Sequence, residues 1–547
     1  MGGVARLLAG RGGPRTQKLW KASVATWTAA SRLRRAKMSN WAALSRKIGA
    51  APASALPVPA PKKAKKSAAN HARPEQPSTS STSSVAITEP SPPGMIDTRA
   101  RLASDVAVRV ASSSYIDEPS SGIATQGSNP ALEAARLRAI QSLGKVFTSS
   151  CAALGSRKFF AHYETWLWAS RTGRSSMVDS VRDVGAVVPV VPERAGEAAR
   201  AELLRKLVKA GESEASAQAA CDALDAACRK LSTELRQLEA SGCSPAAGGT
   251  VQVRRAPRGD PAGPPPPKGG KRKQADVESV GSGASEEVPR WVLTHGSTEV
   301  TVTDTHLDKL KTLWAAMQGK TESTDPMDDN AFRAATYCVL ARLMSLQGGH
   351  EQAGGMQGAC PPGVFDTLRA DFGVTAECFA SPLNTRFFRF CSASVDVDAP
   401  FGSRGSFFEF RPASGAFLAN PPFDPTLVSA MASHMEVLLQ AADKLDAVLL
   451  FVIVIPTWPD AQCWKALHGS KHCTSSIRLP KSKHAYIDGG QHQGRRAVPL
   501  RLSNHDSTVF LLQSAKSAGL ASLSFQKERR LREAFTAGLK INGALHK

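Results

Sequence analysis

Residues 415–427 read G-A-F-L-A-N-P-P-F-D-P-T-L. The stretch opens as an apolar strand that ends in Phe417 and Leu418, and it closes as the start of a helix. Asp424 suits an N-cap and Pro425 suits a first helical turn. Leu427, Met431, Met435 and Leu438 then fall on one helical face. Between strand and helix lie Asn420, Pro421, Pro422 and Phe423. Two consecutive prolines have no amide hydrogen to give, so neither a central strand nor a helix interior takes them. A strand–loop–helix unit is the building block of an α/β sheet, and such sheets bind ligands outside the carboxyl ends of their strands.

The surroundings repeat this pattern. From residue 361 onward, apolar strand-like runs alternate with helical ones, as in a parallel α/β sheet. Strands are expected near 375–380, 407–410, 415–419, 447–455 and 508–513, and helices near 362–372, 425–442 and 527–535. The longest apolar run, A-V-L-L-F-V-I-V-I-P at 447–456, is about half the ~20 residues a bilayer requires. It reads as a buried strand, and no membrane partner is expected.

Upstream the periodicity is helical. N-P-A-L-E-A-A-R-L begins at Asn129, with Pro130 at a helix start. Leu224, Cys228, Leu231, Leu235 and Leu238 form one apolar stripe suited to a helical bundle. Residues 243–288 carry P-A-G-P-P-P-P-K-G-G-K-R-K and read as an inserted loop. A hairpin near 291–303 and helices at 305–317 and 329–346 follow. The expected domains are thus a disordered basic, Ser/Pro-rich tail (1–128) and a helical domain (129–242), interrupted by the insertion (243–288) and completed by 289–360. An α/β domain (361–515) and a C-terminal helix or tail (516–547) end the chain.

The 547 residues carry a net charge of +22, but residues 1–74 alone hold 16 Lys/Arg and no Asp or Glu, which leaves about +6 for the rest. A basic tail suits a polyanion such as RNA, or a targeting receptor. P-K-K-A-K-K at 61–66 points to the nucleus; the acid-free, Arg/Ala/Ser-rich composition also fits an organelle transit peptide. Ten scattered cysteines without a C-x-x-C pair read as reduced thiols of an intracellular protein. Cys463, His468, His472 and Cys473 crowd together, yet their spacing fits no standard zinc site, and no metal is expected. G-K-T at 319–321 lacks the glycine of a phosphate-binding loop, because Trp314 stands in its place.

One chemistry wants the Asn-Pro-Pro-Phe loop. The exocyclic amine of adenine is a poor nucleophile, since its lone pair is delocalised into the ring. Two acceptors aimed at its two hydrogens would draw the nitrogen toward a tetrahedral state. The Asn420 side-chain oxygen is one, and the Pro421 carbonyl, stiffened by Pro-Pro, is the other. Phe423 offers a face on which an extruded base stacks, worth ~1–3 kcal/mol. This is positioning plus oriented dipoles, with neither metal nor strong base. On the tetrapeptide alone, methylation of DNA, of RNA and of a protein amide all stay open, beside a plain rigid turn.

Longer matches narrow the choice. E-C-F-A-S-P-L-N (377–384), F-G-S-R-G (401–405), G-A-F-L-A-N-P-P-F (415–423) and I-P-T-W (455–458) occur in order, followed by L-P-K-S-K-H-A-Y (479–486), G-Q-H (490–492) and S-T-V-F-L-L-Q (507–513). F-F-A-H-Y-E-T-W-L (159–167) and the stretch near 201–209 add thinner matches. Together they resemble the phosphorylated-CTD-interacting-factor family, the cap-specific adenosine N6-methyltransferases.

The resemblance implies a Rossmann-like methyltransferase domain joined to an all-helical domain. It implies S-adenosylmethionine as methyl donor and capped mRNA beginning with 2′-O-methyladenosine as substrate. Asn420, Pro421, Pro422 and Phe423 match the catalytic loop. Ala380, Ser381, Pro382, Asn384, Ser403 and Glu409, with Asn420 and Phe423, are the positions it suggests for the methyl donor. Trp458, Ser482, Lys483, His484 and Tyr486 are those it suggests for the cap, with Lys481, Arg495 and Arg496 near the triphosphate. Departures are Thr457 where the family carries Glu, and Pro425 where it carries an acid. The WW module of some members is not evident around Trp20 and Trp41, so coupling to the phosphorylated polymerase II tail is expected to be absent or to run through another segment. The alternatives are an N6-adenine methyltransferase acting on DNA or internal RNA sites, and a non-catalytic cap- or RNA-binding scaffold.

Overall fold

The computed structural model describes residues 128–155, 159–172, 190–241, 249–256, 288–318, 326–349, 358–494 and 500–541. The basic tail with its 61–66 cluster, Trp20, Trp41, Arg495 and Arg496 all lie outside these residues.

The first described part is helical. Helix α1 (Pro130–Ser150) starts where Asn129 caps the Leu132 amide, with proline at its first position. It packs beside α4 (Glu214–Ala240), with α2 (Phe159–Thr172) and α3 (Glu197–Lys209) completing the cluster. The stripe read from the sequence largely turns inward: Leu224 and Cys228 are buried, and Leu231 and Leu235 pack partly against the same core. An antiparallel sheet follows, β1 (Gln252–Arg255), β2 (Arg290–His295) and β3 (Thr298–Thr303). Strand β1 lies inside 243–288, so that stretch is not loop throughout. Val253 pairs with Leu293, and Val251 is buried beneath them, so two alternate valines suffice to add an edge strand. Helices α5 (Asp304–Met317) and α6 (Asn330–Leu346) end this part; Thr303 and Asp329 cap them.

The second part holds a six-stranded sheet of order β5-β4-β6-β7-β11-β8. Its strands are β4 (Ala376–Glu377), β5 (Arg389–Phe390), β6 (Gly415–Ala419), β7 (Leu449–Pro456), β8 (Cys473–Leu479) and β11 (Ser507–Gln513). Strands β5, β4, β6 and β7 run parallel, whereas β11 runs antiparallel to both β7 and β8. The expected parallel sheet is therefore mixed. Between β8 and β11 the described residues form the small pair β9 (Ala485–Ile487) and β10 (Leu500–Leu502) and a 3-10 turn (Gln491–Gln493), and among them is no α-helix of the kind a crossover between parallel neighbours needs.

Helix α7 (Pro362–Phe372) precedes the sheet, and a one-turn α8 (Val395–Asp398) follows β5. Helix α9 (Pro425–Lys444) covers one face with α10 (Gln462–His468); α11 (Ala515–Leu520) follows β11, and α12 (Phe525–Ile541) lies against α7 on the opposite face. Strand β7 shows why the run at 449–456 must be apolar throughout. Leu449, Phe451, Ile453 and Ile455 enter the core under α9, while Leu450, Val452 and Val454 enter the core under α7 and α12.

Two expected strands differ. Residues 407–410 hold a 3-10 turn, Phe407–Glu409, started by Ser406 accepting from the Phe408 amide at 3.2 Å. Its phenylalanines are buried as turn residues, so an apolar run there does not mark a strand. At 375–380 only Ala376 and Glu377 pair, because the chain then bends into the loop described next.

Candidate active site

The chain steps from β4 outward to β5, then crosses back over β4 to β6. The switch point between β4 and β6 is where neighbouring loops diverge and a crevice opens at the carboxyl ends. Three loops leave those ends and line one pocket. Cys378, Phe379, Ala380 and Ser381 follow β4; Ser392, Ala393 and Ser394 follow β5; Asn420, Pro421 and Pro422 follow β6. Phe407 and Phe408 form an apolar side, and Trp168 of α2 with Val339, Arg342, Leu343 and Leu346 of α6 form the wall from the helical part. The free space is about 1200 Å³ counted out to the open mouth. An apolar crevice with a few convergent polar groups is the usual form of a small-molecule site.

The catalytic-loop candidate sits as the sequence suggested, between β6 and an N-capped helix: Asp424 Oδ1 accepts the Leu427 amide at 2.8 Å. Asn420 Nδ2 donates to the Gly358 carbonyl at 2.7 Å. Its Oδ1 is buried and has no hydrogen-bond partner. A buried acceptor left unsatisfied costs about 1–3 kcal/mol, so it calls for a ligand that donates. Phe423 lies on the other flank of the loop, half-buried against the core under α7 and α12. Tyr486 and His505 meet its ring at interplanar angles of 70° and 84°, with centroids at 5.4 and 5.8 Å, so neither stacks parallel upon it.

Of the positions suggested for the methyl donor, Ala380, Ser381, Asn384 and Asn420 line the pocket. Asn384 Oδ1 accepts from the Ser381 amide at 2.7 Å and from its hydroxyl at 3.1 Å, which folds this loop without glycines. Ser403 stands behind the wall, its hydroxyl 2.7 Å from that of Ser392. Pro382 is buried outside the lining, and Glu409 points from the 3-10 turn without reaching it.

The positions suggested for the cap divide. Trp458 follows the carboxyl end of β7, partly buried on the α9 side, and Ser482 and Lys483 are exposed in the turn after β8. His484 and Tyr486 are corrected: both face inward. Tyr486 donates to Ser507 Oγ at 2.7 Å, Ser507 donates to His484 Nε2 at 2.8 Å, and His484 Nδ1–H donates to the Pro480 carbonyl at 2.9 Å. Every polar atom of that relay is used inside the fold, and burial holds the His484 imidazole neutral by lowering its pKa. His472, from the cysteine–histidine cluster, bridges Glu436 at 3.0 Å and Asp443 at 2.9 Å.

Two ionisable pocket residues had no sequence signal. Arg342 is 1% exposed and forks onto two carboxylates, Glu133 of α1 at 2.6 and 2.9 Å and Asp396 of α8 at 2.7 and 3.0 Å. Asp398 is buried beside Ser392, and burial raises its carboxyl to about 8. The Arg342 contacts span 54 and 209 residues of chain, so no local motif announces them.

The pocket and sheet together define an α/β protein with an apolar pocket at a topological switch point. Residues 309–489 match the family model described as the phosphorylated CTD interacting factor 1 WW domain. The mouse mRNA (2′-O-methyladenosine-N(6)-)-methyltransferase is 38% identical over 226 residues, covering 40% of this chain and 31% of the relative. The human protein of the same name is 38% identical over 194 residues, covering 34% of this chain and 27% of the relative. The chain thus spans less than a third of the length of these relatives. The matched segment contains the Asn-Pro-Pro-Phe loop, and over it the chain is similar to the phosphorylated-CTD-interacting-factor family.

Proposed function

We propose that the protein transfers a methyl group from S-adenosylmethionine to N6 of the 2′-O-methyladenosine next to the mRNA cap, and that the mixed sheet is a Rossmann-like methyltransferase sheet. The observation that carries the reading is the buried, partnerless Oδ1 of Asn420, set at the rim of a pocket at the switch point. The pocket fits the methyl donor: Phe407 and Phe408 supply apolar surface, and Ser381, Asn384, Ser392 and Asp398 supply polar groups around it. When bound, S-adenosylmethionine supplies an activated methyl on a sulfonium.

The chain's own part is placement. The adenine amine donates one hydrogen to Asn420 Oδ1 and the other to the Pro421 carbonyl, which localises the nitrogen lone pair. Phe423 supports the base on the flank away from the pocket. As the N–C bond forms, the C–S bond breaks and sulfur keeps its electron pair; the nitrogen then sheds one proton to solvent. Preorganised dipoles of this kind need no reorganisation at the moment of reaction. Trp458, Lys483 and Ser482 lie on the carboxyl-end rim, where we place the cap. A stacked 7-methylguanine would gain cation–π attraction from an indole.

The family description also names a phosphorylated CTD. The matched residues fold as helices and sheet of a larger body, so we propose that any grip on the polymerase tail uses its surface rather than a separate small module. The 61–66 basic cluster supports a nuclear location.

The test is methyl transfer from labelled donor to a short RNA with a capped 2′-O-methyladenosine start, beside uncapped RNA and DNA. Transfer confined to capped RNA is expected. Transfer to DNA or uncapped RNA would replace the substrate assignment, and binding without transfer would replace the enzyme by a scaffold.

A further inference from the structure

We propose, resting on that methyl-transfer reading, that Gly358 is a positioning residue: its carbonyl sets which amide atom of Asn420 faces the reacting amine. A primary amide can sit in two orientations, exchanging an acceptor for two N–H donors. Only the acceptor is useful opposite an amine that must itself donate. A carbonyl can only accept, so on the Gly358 side only Nδ2 fits, and it sits there at 2.7 Å. Oδ1 is thereby turned the other way and left partnerless. The choice is imposed from 62 residues upstream in sequence.

The carbonyl is itself held. Ala359 and Ile487 exchange two backbone hydrogen bonds, at 2.8 and 3.0 Å, and Cys360 is buried just beyond. A Cβ on residue 358 would lie 3.1 and 3.2 Å from Cβ and Cγ of Tyr486. That ring is fixed by its hydroxyl bond to Ser507. No slack remains, so a side chain at 358 would displace the carbonyl from Asn420. Tyr486 thus acquires a purpose as the floor beneath residue 358, and His484 backs it through Ser507.

The arrangement explains why an amide suits this chain better than a carboxylate. In Asn420→Asp, an ionised oxygen would face the Gly358 carbonyl, acceptor against acceptor. Protonation repairs the contact, because the acid then donates to Gly358 and keeps one oxygen as acceptor. The variant's activity should therefore rise as pH falls, on a limb the wild type lacks.

The experiment uses the full chain with labelled methyl donor and capped RNA, wild type in parallel. Gly358→Ala should lower kcat by about a hundredfold, the usual cost of a roughly 1 Å misplacement. KM for donor and RNA should stay within about twofold, as for an interaction made only in the transition state. If that variant fails to melt cooperatively, Asn420→Asp alone decides. An Asp variant weak at neutral pH and recovering on acidification is the expected result. A variant as active as wild type, with the same pH profile, would overturn the proposal while the methyl-transfer reading stood. Wild type inactive on every nucleic acid offered would overturn that reading first, and this one with it.

Discussion

Strands β7 and β11 run eight and seven residues with every residue buried, whereas β4 and β5, across β6, have two residues each. The long pair shares a register of seven residues and interlocks with cores on both faces. The short pair stops early, and the chain it saves becomes the loops that wall the pocket. Regularity on one side permits irregularity on the other: the loops can hold an unsatisfied oxygen and a buried acid because the neighbouring ladder supplies the stability.

This contrast can be broken. Phe510→Ala, deep in the long half and in the core, should cost about 3–5 kcal/mol in a urea titration. The kinetic constants of the molecules still folded should not move. Arg342→Met, in the pocket half, should cost a similar roughly 3–5 kcal/mol, since Glu133 and Asp396 lose their shared partner. Unlike Phe510→Ala, it should also weaken binding of S-adenosylhomocysteine measured by calorimetry. If the two variants act alike on that binding, the division between the halves fails.

Asn420→Ala should give the reverse profile. Turnover should fall about 10²–10³-fold, the usual loss for one preorganised dipole at a reacting centre. Its stability should fall by no more than about 1 kcal/mol, the net worth of the lost Nδ2 bond to Gly358, because the oxygen removed with it is one the fold leaves unsatisfied. A fully active variant would refute the role given to Asn420.

The smallest effect concerns Asp398. Its carboxyl is raised to about 8 by burial, against an unfolded value near about 3.9. Between those values the folded state holds a proton that the unfolded chain has released. Stability therefore falls as pH rises through that window and levels off above it. Asp398→Asn should remove the slope, gaining on wild type toward the upper end. Parallel urea midpoints across the window would sharpen the comparison, and an unchanged slope would remove Asp398 from it.

What the sequence disclosed follows the same line. The long half was legible because unbroken apolar runs of seven or eight residues admit few other readings. The Asn-Pro-Pro-Phe loop was legible because two prolines before an N-cap leave the chain little conformational choice. Strands β4 and β5 were faint, since two paired residues carry no periodicity. Phe407 and Phe408 misled because burial in a turn and burial in a strand leave the same composition. His484 and Tyr486 were placed at the cap because their segment resembles the family's; their Ser507 relay is a tertiary fact that a matched segment does not disclose. Arg342 was silent because its partner Glu133 lies 209 residues away.

One consequence concerns where the chain could be cut. Strand β8 is joined to the large sheet only through β11, and β11 lies beyond residue 489, where the family match ends. Glu133, which anchors the Arg342 side of the pocket, lies far before residue 309. A fragment trimmed to the recognised segment would leave an edge strand with nothing to pair and a buried guanidinium missing one of its two counter-ions. Truncations for crystallography or for expression should run from Asn129 to at least Ile541, so that α12 still covers its face of the sheet.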